Sequence, residues 1–391
     1  MFGYNRNLWL DLIRGCSALL VCLGHLRNAM LVDYSELIHP NIAVKAFYAF
    51  TSFGHQAVMV FFVLSGYFVG GAVLRTSVKF SWSNYIISRL TRLWVVLIPC
   101  LVITWGIGQI LAHYAPAVLA GANVESWHSG PKLGEYSADF STLLANIFFL
   151  QTIVSPVFGL NSPLWSLANE FWYYMLFPLL AITLGLVGSG KYQVRMLALV
   201  PTMIIAWCIP NEMLYGFLIW IMGVAVYCLQ PTVKKFSKNT IYILLLIAFV
   251  LLGLALVYSK STSHSQIMPF ESDFIVGITF AFLCLILTKQ PFPKHQFPWL
   301  AKGSQYLSEV SYSLYLSHFP LVVLIGALAY TSQKSAPIIF VLLQFFAWLI
   351  LLVGFGFAIW WLFESRTTYV RDKVASLLIQ MSMKFKNGLR S

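Results

Sequence analysis

Charge is scarce in this chain: 10% of its 391 residues are charged, against about 25% in ordinary soluble domains. Acids are the rarer sign, with 13 Asp and Glu against 25 Lys and Arg, which leaves a formal charge of +12. That balance would suit nucleic acid only if a polar domain carried a basic patch. Here the basic residues stand between apolar runs, so no nucleic-acid partner is expected and they read as topology signals. Disulfide and zinc scaffolds are excluded as well. All six cysteines (Cys16, Cys22, Cys100, Cys208, Cys228, Cys284) fall within apolar segments, with no paired Cys/His spacing, so no metal is expected. Internal repeats, low-complexity tracts and an appended soluble domain are all missing. A cleavable leader is not expected either, because the first apolar run is too long and is interrupted by Asp11 and Arg14.

What is present is apolar residue, at 59% of the chain with 16% aromatic and a mean hydropathy of +0.78. The expected fold is an all-α, polytopic transmembrane helix bundle embedded in the lipid bilayer. Runs near the roughly 20 residues needed to span lie at 8–31, 51–74, 93–113, 170–188, 195–210, 214–230, 240–258, 270–288, 307–331 and 337–363. These make about ten spans. Segment 141–158 is apolar but short, and loop charge arbitrates its course. Arg75, Lys79, Arg89 and Arg92 place link 75–92 in the cytoplasm, whereas Glu125, Glu135 and Asp139 place 114–140 outside. Later links alternate with "KKFSK" inside and Glu271 and Asp273 outside. The register closes only if 141–158 does not cross, so a re-entrant or interfacial segment is expected there, with both termini cytoplasmic. Residues 1–364 then form the membrane domain and 365–391 a basic cytoplasmic tail.

Ionisable residues inside a span are expensive and mark functional sites by default. The first span, "LWLDLIRGCSALLVCLGHLRNAM", holds Asp11, Arg14 and His25. Arg14 and His25 are eleven positions apart, which returns to nearly the same helix face after about 16 Å of rise, and Asp11 lies one turn before Arg14. The three form one stripe directed from the cytoplasm to the exterior. Gly15, Ala18 and Cys22 between them predict a slot beside it.

These residues also carry a family pattern. Arg14, ten intervening residues and His25, preceded by Asp11 in "LDLIRG", resemble the R-X10-H signature of the acyltransferase-3 membrane family. "FFVLSGYFVGGAVLR" at 61–75, "PLWSLANEFWYYMLFP" at 163–178 and "SYSLYLSHFPLV" at 311–322 agree in the expected order. The resemblance implies an inner-membrane enzyme, of bacterial type, that moves an acyl group from acyl-CoA, commonly acetyl-CoA, onto a hydroxyl of an extracytoplasmic glycan. It also implies the stand-alone form that modifies O-antigen, lipopolysaccharide or exopolysaccharide. One departure limits the transfer: where many relatives have a second acidic or amide residue, this chain reads Glu170-Phe171-Trp172.

Acyl transfer to a hydroxyl needs a general base with a pKa near working pH, and histidine fits best. His25 is assigned that role, with Glu170 to orient it or hold the acceptor. An acyl-thiol intermediate on Cys22 is a minor alternative. The donor's phosphates call for planar guanidinium forks, for which Arg14, Arg75, Arg89 and Arg92 are the candidates. Asp11, Ser65, Gly66, Trp165, Ser166, Tyr315 and His318 are expected to line the site. A proton-coupled transporter is the competing reading, since it too would line a bundle with charge, but no paired halves or matched broken helices are visible.

Overall fold

Apolar runs bounded by Asn, Ser, Pro and Gly produce helices, because lipid offers the backbone no alternative hydrogen-bond partners. The structure is a computed structural model, and it describes residues 7–121, 127, 129–233, 235–262, 269–294, 296–329 and 334–388. Glu125 and Lys234, used above in reading loop charge, lie outside the described residues. In chain order the helices are α1 (Leu8–Met30), α2 (Ile42–Thr51), α3 (Gly54–Ser65), α4 (Gly71–Thr76), α5 (Trp82–Tyr114), α6 (Pro116–Leu119), α7 (Phe140–Ile147) and α8 (Leu164–Thr183). They continue as α9 (Tyr192–Cys208), α10 (Asn211–Val233), α11 (Lys238–Thr262), α12 (Pro269–Leu287), α13 (Pro298–Ala329), α14 (Ile339–Leu362) and α15 (Thr367–Gly388). No strand occurs among the described residues, and the fold is the expected all-α bundle.

Among the described residues, eight helical stretches are long and apolar enough to cross a membrane. The two remaining expected spans coincide with α8, of 20 residues, and α9, of 17. Segment 141–158 contains only the eight-residue α7, about 12 Å long and far short of a crossing. After it the chain doubles back through Phe149 and Thr152, both at positive φ. This segment is tied down by the indole N–H groups of Trp94 and Trp172, which donate to Ile147 O and Phe149 O at 2.8 Å each.

Asp139 caps α7 by accepting from the Thr142 N–H (2.7 Å) and from the Ser141 and Ser137 hydroxyls (2.7 and 2.9 Å). Those donors hold the exposed Asp139 carboxyl well below its ordinary range. A lowered folded-state value means the cap's contribution is complete above the unfolded pKa of about 3.9 and fades as pH falls below it. Melting temperatures of Asp139→Ala and the parent are therefore expected to differ at neutral pH and to converge in acid.

The long helices α1 and α13 run parallel and pack along their length. Asp11 accepts a 2.9 Å hydrogen bond from Ser308 at one end, and His25 meets His318 toward the other. Between them the small-residue face of α1 brings the two backbones close rather than leaving a slot. A Cβ on Gly15 would lie 2.5 Å from Leu307 Cγ, and Ala18 and Cys22 are fully buried in the core. The predicted slot is filled by α13, and this is why the two stripes register. Pro320 within α13 has no N–H to offer, which frees Leu316 O. The buried Asn161 side chain donates to that oxygen at 2.9 Å. Asn161→Ala strands the carbonyl and is expected to cost about 1–3 kcal/mol, readable as a lowered melting temperature.

A second close approach joins α3 to α10. α3 passes into α4 through a wide π turn at Gly66–Gly70, an irregularity frequent at functional sites. Here a Cβ on Gly66 would sit 1.8 Å from Trp220 O, and one on Gly223 would sit 1.9 Å from Val63 O. Main chain lies on main chain, as small residues permit in membrane bundles.

Candidate active site

The middle of the bundle holds a knot of polar side chains from six helices, α1, α3, α5, α8, α10 and α13, with Glu364 from the turn after α14. Glu170 of α8 accepts from the Ser65 hydroxyl at 2.8 Å and from the Tyr174 hydroxyl, and Trp220 of α10 donates to Ser65 Oγ at 3.0 Å. The π turn presents the Phe68 ring to Arg14, whose guanidinium carbon stands 4.6 Å from the ring centroid. Asp11 and Glu170 act on Arg14 as opposite charges and Arg92 as a like one. Arg92 of α5 pairs with the buried Glu364 at 3.5 Å and lies over the Tyr312 ring, while Ser313 donates to Glu364 at 2.6 Å. Arg89, one turn earlier on α5, lies over the rings of Tyr85 and Tyr174. Its Nε is buried with no partner among the described residues. The knot is not packed shut: 43% of the Arg92 side chain remains reachable.

Further along α1 and α13 lies a smaller site. His25 Nδ1 and His318 Nε2 are 2.9 Å apart, with ring planes 7° from parallel and centroids 5.2 Å apart. The rings therefore meet end to end in nearly one plane, through a hydrogen bond rather than by face-to-face stacking. Phe319 packs edge-on against His25 with centroids 4.8 Å apart. One turn back on α13, the Tyr315 hydroxyl and Ser166 Oγ are 2.7 Å apart. Helical rise separates the Arg14 and His25 levels by about 16 Å. The arrangement can hold an anionic group among guanidinium donors at one level and move a proton at the other.

Residues 7–365 match the acyltransferase domain family of the acyltransferase-3 type. The chain belongs to the acyltransferase-3 family. No curated protein and no solved structure matches it. The match covers almost the whole bundle, so the charged knot and the histidine pair are parts of a membrane acyltransferase.

Most of the residues singled out in the acyltransferase sequence fall into these two groups. Asp11, Arg14, Ser65, Arg89, Arg92 and Glu170 belong to the knot, while His25, His318, Tyr315 and Ser166 belong to the outer group. Gly66 acts in the α3/α10 contact. Trp165 is half-buried and meets Phe62 edge to face. Arg75 stands apart at the end of α4, exposed and over the Tyr227 ring. Glu170 does not orient His25, since its carboxylate is engaged by Ser65 and Tyr174 and the partner of His25 is His318. Outside both groups, His55 Nε2 lies 2.8 Å from the Asp273 carboxylate.

Sequence reasoning missed Glu364, Tyr174 and Tyr312. Glu364 was placed only as the last residue of the membrane domain, yet it is buried against Arg92. Its signal was available: an acid directly after an apolar run is costly unless paired. Tyr174 faces the knot, one turn after Glu170 on the same side of α8.

Proposed function

We propose that this acyltransferase takes its acyl group from cytoplasmic acyl-CoA, acetyl-CoA in the simplest case, and places it on a hydroxyl of an extracytoplasmic glycan. The membrane concerned is a bacterial inner membrane. His25 is the general base. The observation that carries this reading is the histidine pair, with His318 fully buried and His25 part-exposed, held by a parallel helix couple that carries Arg14 about 16 Å away among further guanidinium groups. Guanidinium forks suit the donor's phosphates, and Arg89 has an unused Nε–H to give. The flexible arm of the donor then lies along the bundle with its thioester toward His25.

In the reaction, His25 takes the acceptor's hydroxyl proton as the oxygen attacks the thioester carbon. The tetrahedral intermediate collapses with cleavage of the C–S bond, and the departing thiolate recovers the proton. Ester and free thiol are the products. The test is purified protein in lipid nanodiscs with acetyl-CoA and surface glycan, followed by thiol release and by the mass added to the glycan. A gain of one acyl mass on the glycan supports the reading, and substrate flux without any acyl transfer overturns it. Arg89→Lys keeps the charge but loses the fork, and is expected to raise the acyl-CoA KM about tenfold, the smaller end of a charge-assisted hydrogen bond, with the acceptor KM unchanged. Steady-state kinetics in each substrate reads this directly.

A further inference from the structure

We infer that His318 is the positioning residue of the base: it fixes His25 in the tautomer whose Nε2 is bare and shares the positive charge that forms when that nitrogen takes the acceptor's proton. The inference rests on His25 being the base.

It follows from counting protons around the two rings. His318 Nδ1 lies 3.0 Å from Leu314 O and 2.9 Å from Tyr315 O. Carbonyl oxygens only accept, so Nδ1 carries a hydrogen and donates to both. A neutral imidazole has one N–H, which leaves His318 Nε2 with its lone pair. The atom facing that lone pair at 2.9 Å is His25 Nδ1, which must therefore be the donor. His25 Nε2 is then the nitrogen without hydrogen, pointing away from α13. Doubly protonating His318, which is fully buried, would bury a charge that no carboxylate bonds among the described residues, an expensive arrangement, whereas the neutral pair satisfies every contact. Each ring is also held in place, His25 by the edge of Phe319 and His318 by its own helix's carbonyls.

The arrangement has the logic of a base oriented by a third group, with a neutral acceptor in place of a carboxylate. As the acceptor's proton arrives on His25 Nε2, the Nδ1–H leans toward or crosses to His318 Nε2. His318 then carries positive charge against two main-chain carbonyl dipoles. When the thiolate leaves, the proton returns through His25 Nε2 to sulfur and both rings are neutral again. No hydrogen is gained or lost by the pair.

The experiment is nitrogen NMR of protein labelled with ¹⁵N-histidine in lipid nanodiscs, with the dyad signals assigned by single substitutions. His25 is expected to show a protonated Nδ1 and a bare Nε2 in the wild type. The tautomer should persist in His318→Gln, whose amide oxygen can accept but cannot take the proton, and become mixed in His318→Leu. In kinetics, kcat should fall by about tenfold or more in His318→Leu and by less in His318→Gln, with both KM values unchanged. A wild-type His25 carrying its hydrogen on Nε2 overturns the inference whether or not the leucine variant folds. So does full kcat in His318→Leu when His25→Asn is inactive. Transfer that survives in His25→Asn removes the base assignment instead.

Discussion

His25→Asn is expected to lower kcat for acyl transfer by about 10²–10⁴-fold, the range general-base groups contribute, while the protein stays folded. The choice of asparagine matters. Its amide places a donor near the position of Nδ1, so His318 Nε2 keeps a partner and the cost of an orphaned buried acceptor, about 1–3 kcal/mol, is avoided. Alanine would remove base and partner together and confuse the two effects. The expected combination is unchanged binding of acyl-CoA, an unchanged melting temperature and a collapsed rate, measured by thiol release under saturating donor. A variant that retains more than about a tenth of the rate would be incompatible with base catalysis at this residue on the same scale.

Gly66→Ala is expected to have the largest effect on stability. Overpacking in a core usually costs about 1–3 kcal/mol because side chains can shift. At Gly66 the obstacle is Trp220 O, 1.8 Å from the new carbon, with Gly223 backed against Val63 O on the same contact. Neither side can yield without parting α3 from α10, so the penalty should exceed that range and the yield of monodisperse protein should fall sharply. Gly253→Ala is the control, because nothing lies within 4 Å of its added carbon. A helical Gly→Ala change in open space gains about 0.5–1 kcal/mol. Parting α3 from α10 would also move Ser65, which precedes Gly66 and holds Glu170, so any Gly66→Ala protein that survives should have lost activity as well.

How much of this was legible beforehand follows from the range over which sequence patterns act. Hydropathy and loop charge operate within a single helix or between neighbours. Accordingly the helices, and the failure of 141–158 to form a spanning helix, were readable from the residues. The stripe of Asp11, Arg14 and His25 is likewise a property of one helix. Its partners are not. Which helix faces His25 depends on packing between segments 293 residues apart, and no periodicity within α1 encodes it. A pairing of Glu170 with His25 likewise has no support from either helix taken alone. Rotation of α8 instead turns the carboxylate to Ser65 and Tyr174. The small residues of α1 misled for a related reason, since Gly15 offers space only until a neighbouring helix brings Leu307 into it.

The pairing of α1 with α13 also bears on how the molecule is made. His25 leaves the ribosome early and His318 nearly 300 residues later, so until α13 inserts, the first helix waits in the membrane with Asp11 unmet by Ser308 and His25 unmet by His318. A charge such as that of Asp11 costs about 2.5–3.5 kcal/mol at the centre of an inserting helix. The nascent protein therefore carries part of the insertion penalty of its first helix until α13 arrives. On the proposed role of His25, the base gains its partner only once α13 has docked, and an incomplete chain is then expected to be silent toward the acyl donor.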